Sequence, residues 1–393
     1  MNPPPSKPRK TADVVRVVLF AAVLTFPGVS WLCGWTPAPA LQENRCLAPF
    51  PAFRLSRGVI LGFPAAFDAY VNDHCPFRDQ FVWFYNRAKA RGLGISPRPE
   101  VVIGERGWLF FRDGLLDQNS AVPAFTEAEL DQWTRVLEAR RRWLAARGCR
   151  FLVVVAPDKH TVYPEHLPGW APPLPRPSRL DQLLAYAQAH SAVTILDLRE
   201  PLLQAKARER VYWMTDTHWN DRGSFVGYQC IADALAQWFP RVQPLPRSAF
   251  APGALDTEGG DLARMLGLPR DYREEQLSLT PLAPRLARPA EFTPSAPPPP
   301  GAPDLFKPFA RECENKRLPK AVMFRDSFTT ALAPLLSEHF ARIVYLWQDA
   351  FDTAVVERER PDVVLYEFVE RRLIGPCPEN DLPAPPLDDG ARP

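Results

Sequence analysis

Residues 151–160 read FLVVVAPDKH, and this segment decides the fold. Its first five residues form an uninterrupted apolar run, which is typical of a strand buried on both faces of a parallel sheet. A helix is predicted just before it, because Thr126 and Glu129 can form a capping box. The polar residues from Asp158 to His160 follow the strand, at the end where open α/β sheets bind ligands. The segment therefore predicts strand–helix units with functional groups along one sheet edge.

The same alternation continues along the chain. Further strands are predicted at 193–196, 321–324, 343–346 and 363–366, and helices at 178–190, 221–239 and 328–340. This alternation predicts a three-layer α/β fold with a mainly parallel sheet. Ahead of it, 64–93 is predicted to be helical and 101–111 to form a hairpin. Residues 240–320 are the least regular part, and the prolines at 297–300 predict a surface loop.

An apolar segment lies near the start of the chain. Residues 14–32 contain a single charged residue, Arg16, and basic residues precede them. The length suits one membrane-spanning helix with a cytoplasmic N-terminus. A cleaved signal peptide is the alternative, because Ala38-Pro39-Ala40 loosely resembles a cleavage site. In either case, we expect the body of the protein to be exported.

The domain prediction has four parts. They are a cytoplasmic tail and membrane anchor at 1–34, a stalk at 35–57, the α/β domain at 58–376 and a disordered tail at 377–393. The chain has 47 basic and 45 acidic residues, and without residues 1–34 the numbers are 43 and 44. Such a near-neutral body lacks the concentrated basic face that nucleic acid binding requires, so we exclude nucleic acid as the main partner.

Seven cysteines occur, and no two of them are spaced as CxxC, which argues against a zinc knuckle. An exported location permits disulfides. We expect a bridge between Cys313 and Cys377 and a buried Cys149.

A serine stands at another predicted strand end. Residues 324–328 read FRDSF, so Ser327 lies between a buried strand and the start of a helix. There its hydroxyl can be presented at the sheet edge, beside unpaired N–H groups of the first helical turn that can stabilise an oxyanion. The alternative is an ordinary helix cap, for which Asp326 and Ser327 are both favoured residues.

An Asp-x-His pair is the second candidate. Asp216 and His218 belong to the segment TDTHWN, residues 215–220. On an extended segment, residues two apart face the same side, so the carboxylate can orient the imidazole to deprotonate a serine. A structural histidine and a metal site are the alternatives. No other cluster of His, Asp or Glu has obvious metal-ligand spacing, so we expect no metal.

Two further segments are candidates. Lys159 and His160, after the first strand, can contact substrate or shape the cleft, or they can simply end the strand. Gly259-Gly260-Asp261-Leu262 predicts a tight turn that allows close approach of the backbone to a ligand. This turn lacks the length and the Lys-Ser/Thr ending of a phosphate-binding loop.

Together these segments resemble the alginate O-acetyltransferase family of the AlgX/AlgJ type, whose core is SGNH hydrolase-like. The resemblance covers about residues 60–375. Its motifs are NDH at 72–74, FRD at 77–79, the segment 104–110, PDK at 157–159, TDTHWN at 215–220, DSF at 326–328 and the segment 367–371. As in that family, the Asp-x-His pair precedes the serine. Arg325 departs from the commoner glycine. We expect no carbohydrate-binding domain after this core, which would make the chain more similar to the membrane-anchored AlgJ type.

The resemblance implies a triad of Ser327, His218 and Asp216. Contacts with the substrate or the oxyanion are predicted for Arg325, Lys159, Trp219 and Asn220. It also implies a periplasmic enzyme, anchored to the inner membrane and without a cofactor. Its serine would take an acetyl group and pass it to a hydroxyl of an exopolysaccharide, alginate-like or other. Because the periplasm lacks acetyl-CoA, a membrane acyltransferase partner would supply the acetyl group. A carbohydrate acetyl esterase and a non-catalytic polysaccharide-binding scaffold are the alternatives.

Overall fold

The computed structural model describes residues 9–35, 47–51, 57–74, 77–112, 123–171, 174, 176–295, 303–379 and 382. The chain divides into two compact units. The first comprises residues up to Pro97 together with Leu266–Leu268, and the second comprises Arg98–Met265 and the residues from Pro269 onward. The α/β unit therefore begins at Arg98, later in the chain than the predicted boundary at 58.

The first unit is helical in its described part. Its helices are α1 (Arg9–Leu32), α2 (Arg57–His74) and α3 (Arg78–Arg87), the last continued by a π-helical turn at Ala88–Gly92. α1 coincides with the predicted anchor, and the anchor itself stays a prediction. Within the described ranges, no helix combines the length and the apolar character needed to cross a membrane. Most of the predicted stalk and tail lies outside the described residues.

The second unit contains the other described helices and all the described strands. The helices are α4 (Glu127–Ala145), α5 (Lys159–Val162), α6 (Arg179–His190), α7 (Arg199–Lys206), α8 (Asp221–Ala236), α9 (Asp261–Met265), α10 (Thr329–Leu336) and α11 (Thr353–Glu359). The strands are β1 (Val101–Ile103), β2 (Leu109–Phe111), β3 (Arg150–Ala156), β4 (Thr194–Asp197), β5 (Phe250–Thr257), β6 (Glu274–Pro281), β7 (Arg288–Ala290), β8 (Phe309–Glu312), β9 (Lys320–Arg325), β10 (Arg342–Trp347) and β11 (Val363–Val369). The predicted capping box opens α4: the Thr126 hydroxyl accepts from the Glu129 N–H, and the Glu129 carboxylate accepts from the Thr126 N–H.

A sheet of seven described strands forms the middle of this unit, in the order β4-β3-β11-β9-β10-β8-β7. The first five strands in that order are parallel to one another, and β8 and β7 add antiparallel strands at one side. The five parallel strands are those predicted from the sequence, so the mainly parallel α/β fold is confirmed. Two antiparallel pairs lie outside this sheet: β1 with β2, which is the predicted hairpin, and β5 with β6.

Alternation along the parallel strands divides the apolar core in two. In β3, Leu152 and Val154 belong to the core shared with α7, α8 and α10. Phe151, Val153 and Val155 belong to the core shared with α4, α6 and α11. Successive side chains of a strand point to opposite faces, and each such buried side chain contributes roughly 1.5–3 kcal/mol. Helices therefore cover both faces of the sheet, which explains the uninterrupted apolar runs in the sequence.

Residues 240–320 are more regular than their sequence suggests. β5 pairs with β6 along its whole length, and β7 and β8 extend the main sheet. The sequence does not indicate this pair of strands, because they contain Pro252, Gly253 and Pro281. Proline and glycine are depleted from strands, and they are tolerated where a strand lacks a partner on one side. The prolines at 297–300 lie outside the described residues.

The expected bridge between Cys313 and Cys377 is wrong. Both thiols are free. Cys377 packs against the core shared with α4, α6 and α11, whereas Cys313 follows β8 and donates a weak hydrogen bond, 3.4 Å long, to the carbonyl oxygen of Ser337. Cys149 is buried as predicted, and burial raises the pKa of its thiol to about 12, so the thiol stays protonated.

Candidate active site

The carboxyl ends of the parallel strands gather polar residues along one edge of the sheet. β3 is followed by Asp158 and His160, β9 by Ser327, and β11 by Glu370 and Arg371. Because these strands are parallel neighbours, the residues that follow them lie along a single edge. The predicted nucleophile is therefore at the ligand-binding edge of the sheet.

The predicted base lies on the histidine loop, residues 212–220, which connects α7 to α8. An isolated antiparallel bridge between Tyr212 and Trp219 closes this loop. Asn220 ends it as the N-cap of α8, because its Oδ1 accepts two backbone N–H groups of the first helical turn, each at 3.0 Å. Asn220 is fully buried, and its predicted contact with the substrate or the oxyanion stays a prediction. Its position fixes where α8 begins.

Asp216 and His218 form the pair that their spacing predicts. Oδ1 of Asp216 accepts hydrogen bonds from Nδ1 of His218 at 2.7 Å and from the His218 backbone N–H at 3.0 Å. Burial alone would raise the pKa of Asp216, but the hydrogen bond from His218 and the charge of His218 lower this pKa to about 2. The ionised carboxylate therefore assigns the proton to Nδ1. Nε2 of His218 is buried and has no hydrogen-bond partner among the residues that the structure describes, which leaves its lone pair available to accept a proton.

The serine turn, residues 325–328, joins β9 to α10. Oδ1 of Asp326 accepts the backbone N–H of Phe328 at 2.8 Å, and its Oδ2 accepts the N–H of Val369, at the end of β11, at 2.7 Å. The Asp326 carboxylate therefore fastens the turn to the neighbouring strand. Ser327 is partly exposed and lines a cavity of about 570 Å³, which we call the serine cavity.

A second carboxyl group, that of Glu367, lies behind the serine turn. Its Oε2 accepts the Thr329 hydroxyl at 2.6 Å and the Asp326 N–H at 3.2 Å. Burial, together with the charge of Asp326, raises the pKa of Glu367 well above the usual range, and burial raises the pKa of Asp326 as well. A proton held by this pair avoids two negative charges in one buried place.

Trp219 and Phe328 connect the histidine loop to the serine turn. Nε1 of Trp219 donates to the carbonyl oxygen of Phe328 at 3.1 Å, and the two rings meet edge-on with centroids 5.1 Å apart. The ring of His218 lies 5.0 Å from the ring of Phe328. Because Phe328 directly follows Ser327, these contacts hold the imidazole beside the serine turn. Trp219 is only 1% exposed and positions the two segments, and its predicted contact with substrate stays a prediction.

Lys159 holds the histidine loop from inside. Its Nζ donates to three backbone carbonyl oxygens, those of Trp213 at 3.2 Å, Met214 at 3.1 Å and Asp216 at 2.7 Å. Burial lowers the pKa of Lys159 to about 8, although nearby carboxylates oppose the change. The buried ammonium group is therefore engaged by the loop, and the predicted contact between Lys159 and substrate stays a prediction.

Glu274 of β6 holds the same loop from another side. Its carboxylate accepts the N–H groups of Met214 at 2.7 Å and Thr215 at 3.0 Å, and also the Thr215 hydroxyl. This residue belongs to the irregular segment 240–320, where the sequence predicts no strand. The loop that carries the histidine is thus fixed by side chains from two distant parts of the chain.

The turn Gly259-Gly260-Asp261 approaches the triad itself. The Asp261 N–H donates to Oδ2 of Asp216 at 2.9 Å, and Oδ2 of Asp261 lies 3.7 Å from Nδ1 of His218. A Cβ atom on Gly260 would collide with Cβ and Oδ2 of Asp216, so the close approach needs glycine. Burial, and then the charge of Asp216, raise the pKa of Asp261. The close approach that the sequence predicts is thus to the Asp216 carboxylate.

Asp216, His218 and Asp261 also have the ligand types that hold a cation, since one ligand atom from each lies within 4.8 Å of the others. The contact between Oδ1 of Asp216 and Nδ1 of His218 is a hydrogen bond, however, at 2.7 Å. That bond occupies the atoms that a metal ion would use. The geometry therefore fits a carboxylate–imidazole pair better than a metal centre.

Arg325 braces the serine turn from behind. Its guanidinium group donates to the carbonyl oxygens of Leu305 at 2.9 Å and Asp326 at 3.2 Å, and it lies over the ring of Trp347 at 4.6 Å. The residue is 4% exposed. These contacts make it a support of the turn. Arg325 also lines the serine cavity, and its predicted contact with the substrate or the oxyanion stays a prediction.

Arg371 is a site residue that the sequence analysis did not single out. It lines the serine cavity, and its guanidinium carbon lies 5.5 Å from the ring centroid of Phe328. Nη1 of Arg371 pairs with Oδ1 of Asp158 at 2.5 Å. The feature of the sequence that could have identified it is its position directly after β11, at the same sheet edge as Ser327. Its charge is suited to an oxyanion or an anionic donor.

Comparison with known proteins identifies the family of the chain. The sequence profile described as "SGNH hydrolase-like domain, acetyltransferase AlgX" matches residues 101–298. The probable alginate O-acetylase AlgJ of Pseudomonas putida is 29% identical over 303 residues, which cover 70% of this chain and 71% of that protein. The AlgJ protein of Pseudomonas aeruginosa, with the same description, is 31% identical over 264 residues, 66% of this chain and 62% of that protein.

A solved structure shows the same fold. The structure of Bacillus cereus PatB1 covers 71% of this chain and 98% of its own length, with a TM-score of 0.52 and 17% identity. The matching profile, the ordered motifs and the shared fold all indicate the same family. The chain belongs to the AlgX family of SGNH hydrolase-like acetyltransferases.

Proposed function

We propose that the protein transfers acetyl groups to the hydroxyls of an exopolysaccharide through an acetyl ester on Ser327. One observation carries the proposal: Asp216 holds His218 by Nδ1, while the buried Nε2 has no partner and its ring packs beside the serine turn. This is the arrangement of a general base that is oriented by a carboxylate. The relatives named as alginate O-acetylases support the acetyl group and the polysaccharide as substrates.

The reaction has two steps. In the first, Nε2 of His218 takes the proton of Ser327, whose Oγ bonds to the acetyl carbonyl carbon, and the donor group leaves with that proton. In the second, a sugar hydroxyl gives its proton to Nε2 while its oxygen bonds to the acetyl carbon, and Ser327 leaves and regains the proton. The covalent intermediate divides one difficult transfer into two easier steps.

Arg371 is proposed as the cation that faces the developing oxyanion. The Phe328 N–H, next to Ser327, already donates to Asp326 and is not available for this purpose. The guanidinium group lines the serine cavity and is itself held by Asp158. A fixed cation in a partly dry cavity stabilises transition-state charge far more than it would in water.

The first test follows the acetyl group. The full chain is incubated with an activated acetyl ester, with and without oligosaccharides, and the masses of the Ser327 peptide and the sugar are measured. We expect an acetyl group on Ser327 that moves to the sugar. Ser327→Ala should abolish both signals, whereas Ser191→Ala, at the end of α6, should keep them. Free acetate as the sole product would identify an esterase, and glycan binding without any labelling of Ser327 would identify a scaffold.

We further propose a periplasmic location, with the N-terminal segment as an inner-membrane anchor and a membrane acyltransferase as the donor partner. Large apolar side chains of α1, among them Phe20 and Leu24, are more than two-thirds exposed, which supports contact with lipid. We expect the full chain to sediment with membranes and a variant without residues 1–34 to stay in the soluble fraction. Equal fractionation of the two proteins would contradict the anchor.

A further inference from the structure

A second cavity adjoins the serine cavity. It has a volume of about 750 Å³ and lies beyond the carboxyl ends of β3, β4 and β11. We call it the β3–β4 cavity; its polar lining includes Asp158, His160, Thr161, Arg199 and Glu370. Arg371 and Ile374 line both cavities, so the two spaces share a wall. The volume is within the range of small-molecule sites, and nothing in the two-step reaction uses it.

His160 is the residue that points to a ligand. It lines this cavity, it is only 7% exposed, and none of the hydrogen bonds within the described part of the chain uses its ring. Its ring nitrogens are not enclosed by protein, so they are accessible from the cavity to water or to a bound molecule. Burial lowers the pKa of His160 to about 4, so the imidazole is neutral at pH 7 and has one donor and one acceptor. A hydroxyl group, which both donates and accepts, matches that ring.

The charges of the β3–β4 cavity are largely balanced. Arg199 is paired with Asp197 and Asp181, at 2.7 and 2.8 Å, and Arg371 is paired with Asp158. A third cation, Arg179, donates to backbone carbonyls, and Arg176 lies exposed at the rim. Against these four arginines stand five carboxyl groups, those of Asp158, Asp181, Asp197, Glu200 and Glu370. The lining therefore has no surplus of positive charge for a polyanion.

Apolar side chains complete the lining. Pro164, Leu180 and Leu203 face the cavity. A sugar ring has carbon-bound hydrogens that pack on such side chains and hydroxyls that need polar partners. The β3–β4 cavity thus combines polar groups that can bind hydroxyls, apolar surface and balanced charge, and it adjoins the cavity that contains Ser327.

From this juxtaposition we infer that the β3–β4 cavity is the acceptor subsite and that it binds an uncharged sugar unit of the acceptor glycan. The inference rests on the proposed transferase function and adds the class of the acceptor to it. The unit held by His160 is a neighbour, along the same glycan, of the unit whose hydroxyl reaches Ser327. The shared wall at Arg371 allows one chain to occupy both cavities.

Calorimetric titration of the full chain with cellohexaose and with an oligomannuronate of equal length tests the inference. We expect cellohexaose to bind at least about tenfold more tightly, because the uronate carboxylates find no surplus cation. His160→Leu should weaken cellohexaose binding by about tenfold or more, whereas His190→Leu, on the exposed end of α6, should not change it. Tighter binding of the uronate, or no binding of either sugar, overturns the inference.

A second variant guards against a folding defect in His160→Leu. Leu203 is 38% exposed at the cavity, so Leu203→Trp fills the space without disturbing a buried position. It should also weaken cellohexaose binding, with an unchanged thermal midpoint; unchanged binding in both variants contradicts the site. Acetylation of Ser327 by the activated ester separates the two proposals. If the wild-type serine is not acetylated, the proposed function fails; if it is acetylated while both variants bind cellohexaose normally, only the acceptor subsite fails.

Discussion

The serine turn and the histidine loop supply the two halves of the proposed triad, and they are built in different ways. The serine turn is a junction between β9 and α10, and regular structure on both sides fixes its course. The histidine loop contains little regular structure, and Lys159, Glu274 and Asp261 hold it by long-range hydrogen bonds. The sheet thus positions Ser327, the proposed nucleophile, whereas buried polar side chains position His218, the proposed base.

The carboxyl groups of the two regions differ in the same way. The hydrogen bond and charge of His218 offset the burial of Asp216 and lower its pKa to about 2, so this carboxyl is ionised. At the serine turn, burial raises the pKa values of Asp326 and Glu367. The histidine loop therefore contains an ionised carboxylate next to His218, whereas the serine turn contains two carboxyl groups that share a proton and support the turn.

The largest effect is expected when the negative charge of Asp216 is removed. Asp216→Asn should lower kcat/KM for acetyl transfer by about 10³–10⁴-fold, because the amide no longer fixes the histidine tautomer or stabilises the imidazolium. Steady-state kinetics and the Ser327 acetylation rate measure the loss. Asp256→Asn, an exposed carboxylate of β5, is the matched control. A loss below tenfold would mean that Asp216 does not act on His218.

The next effect concerns the support of the histidine loop. Lys159→Met leaves three buried carbonyl oxygens without their donor, so we expect a loss of about 2–4 kcal/mol in the free energy of unfolding. Activity should fall with it, because Asp216 is on the released segment. Urea denaturation measures the stability, and Lys307→Met, an exposed lysine paired with Asp304, should change it by less than about 0.5 kcal/mol. Equal stability of the two variants would show that the loop does not need Lys159.

A smaller effect is expected from the second carboxylate at the imidazole. Asp261→Asn keeps an oxygen for the Thr217 N–H but removes a charge 3.7 Å from Nδ1 of His218. We expect kcat to fall about tenfold with little change in KM, because the imidazolium that forms in the transition state loses a neighbour of opposite charge. The acid limb of the pH–rate profile should move to lower pH. A change in KM alone would assign Asp261 to substrate binding instead.

The smallest effect should come from the serine turn. Glu367→Gln keeps the shape and an acceptor for Thr329, and it resembles the protonated carboxyl. The pKa of Glu367 is raised in the folded protein, so the wild-type protein loses stability as pH rises above 4.5, the ordinary value at which the unfolded chain ionises. At pH 4 the variant and the wild type should therefore unfold at the same urea concentration. At pH 8 the variant should be equally or more stable, and a less stable variant at pH 8 would show that Glu367 is ionised in the folded state.

The comparison also explains what could be predicted from the sequence. The parallel strands and Ser327 were predictable, because a strand buried on both faces leaves a continuous apolar run and a helix start follows it. The Asp216–His218 pair was predictable because both residues lie on one local segment. Arg371 was within reach of the same reasoning, since it follows β11 closely at the same edge, but Glu274 was not, because it lies on β6, where the sequence predicts no strand.

The four residues predicted to touch the substrate show a second limit. Lys159, Trp219, Asn220 and Arg325 all lie at the site, so the motifs identified the right neighbourhood. Each of them is buried, makes hydrogen bonds within the protein and positions a segment, a supporting role that the sequence did not indicate. A motif reports which residues are required together, but it does not report which of them face the cleft.

The position of the β3–β4 cavity along the chain has a consequence for how acceptor preference can change. Apart from the turn at 370–374, its lining comes from one continuous stretch, 158–203, whereas Asp216, His218 and Ser327 come later. Exchange of that stretch between relatives, with Asp158 and Lys159 retained because they hold Arg371 and the histidine loop, would therefore transplant the proposed glycan-facing surface and leave the proposed triad in place. New acceptor preferences can in this way evolve by recombination of one continuous stretch of sequence, without an inactive enzyme as an intermediate.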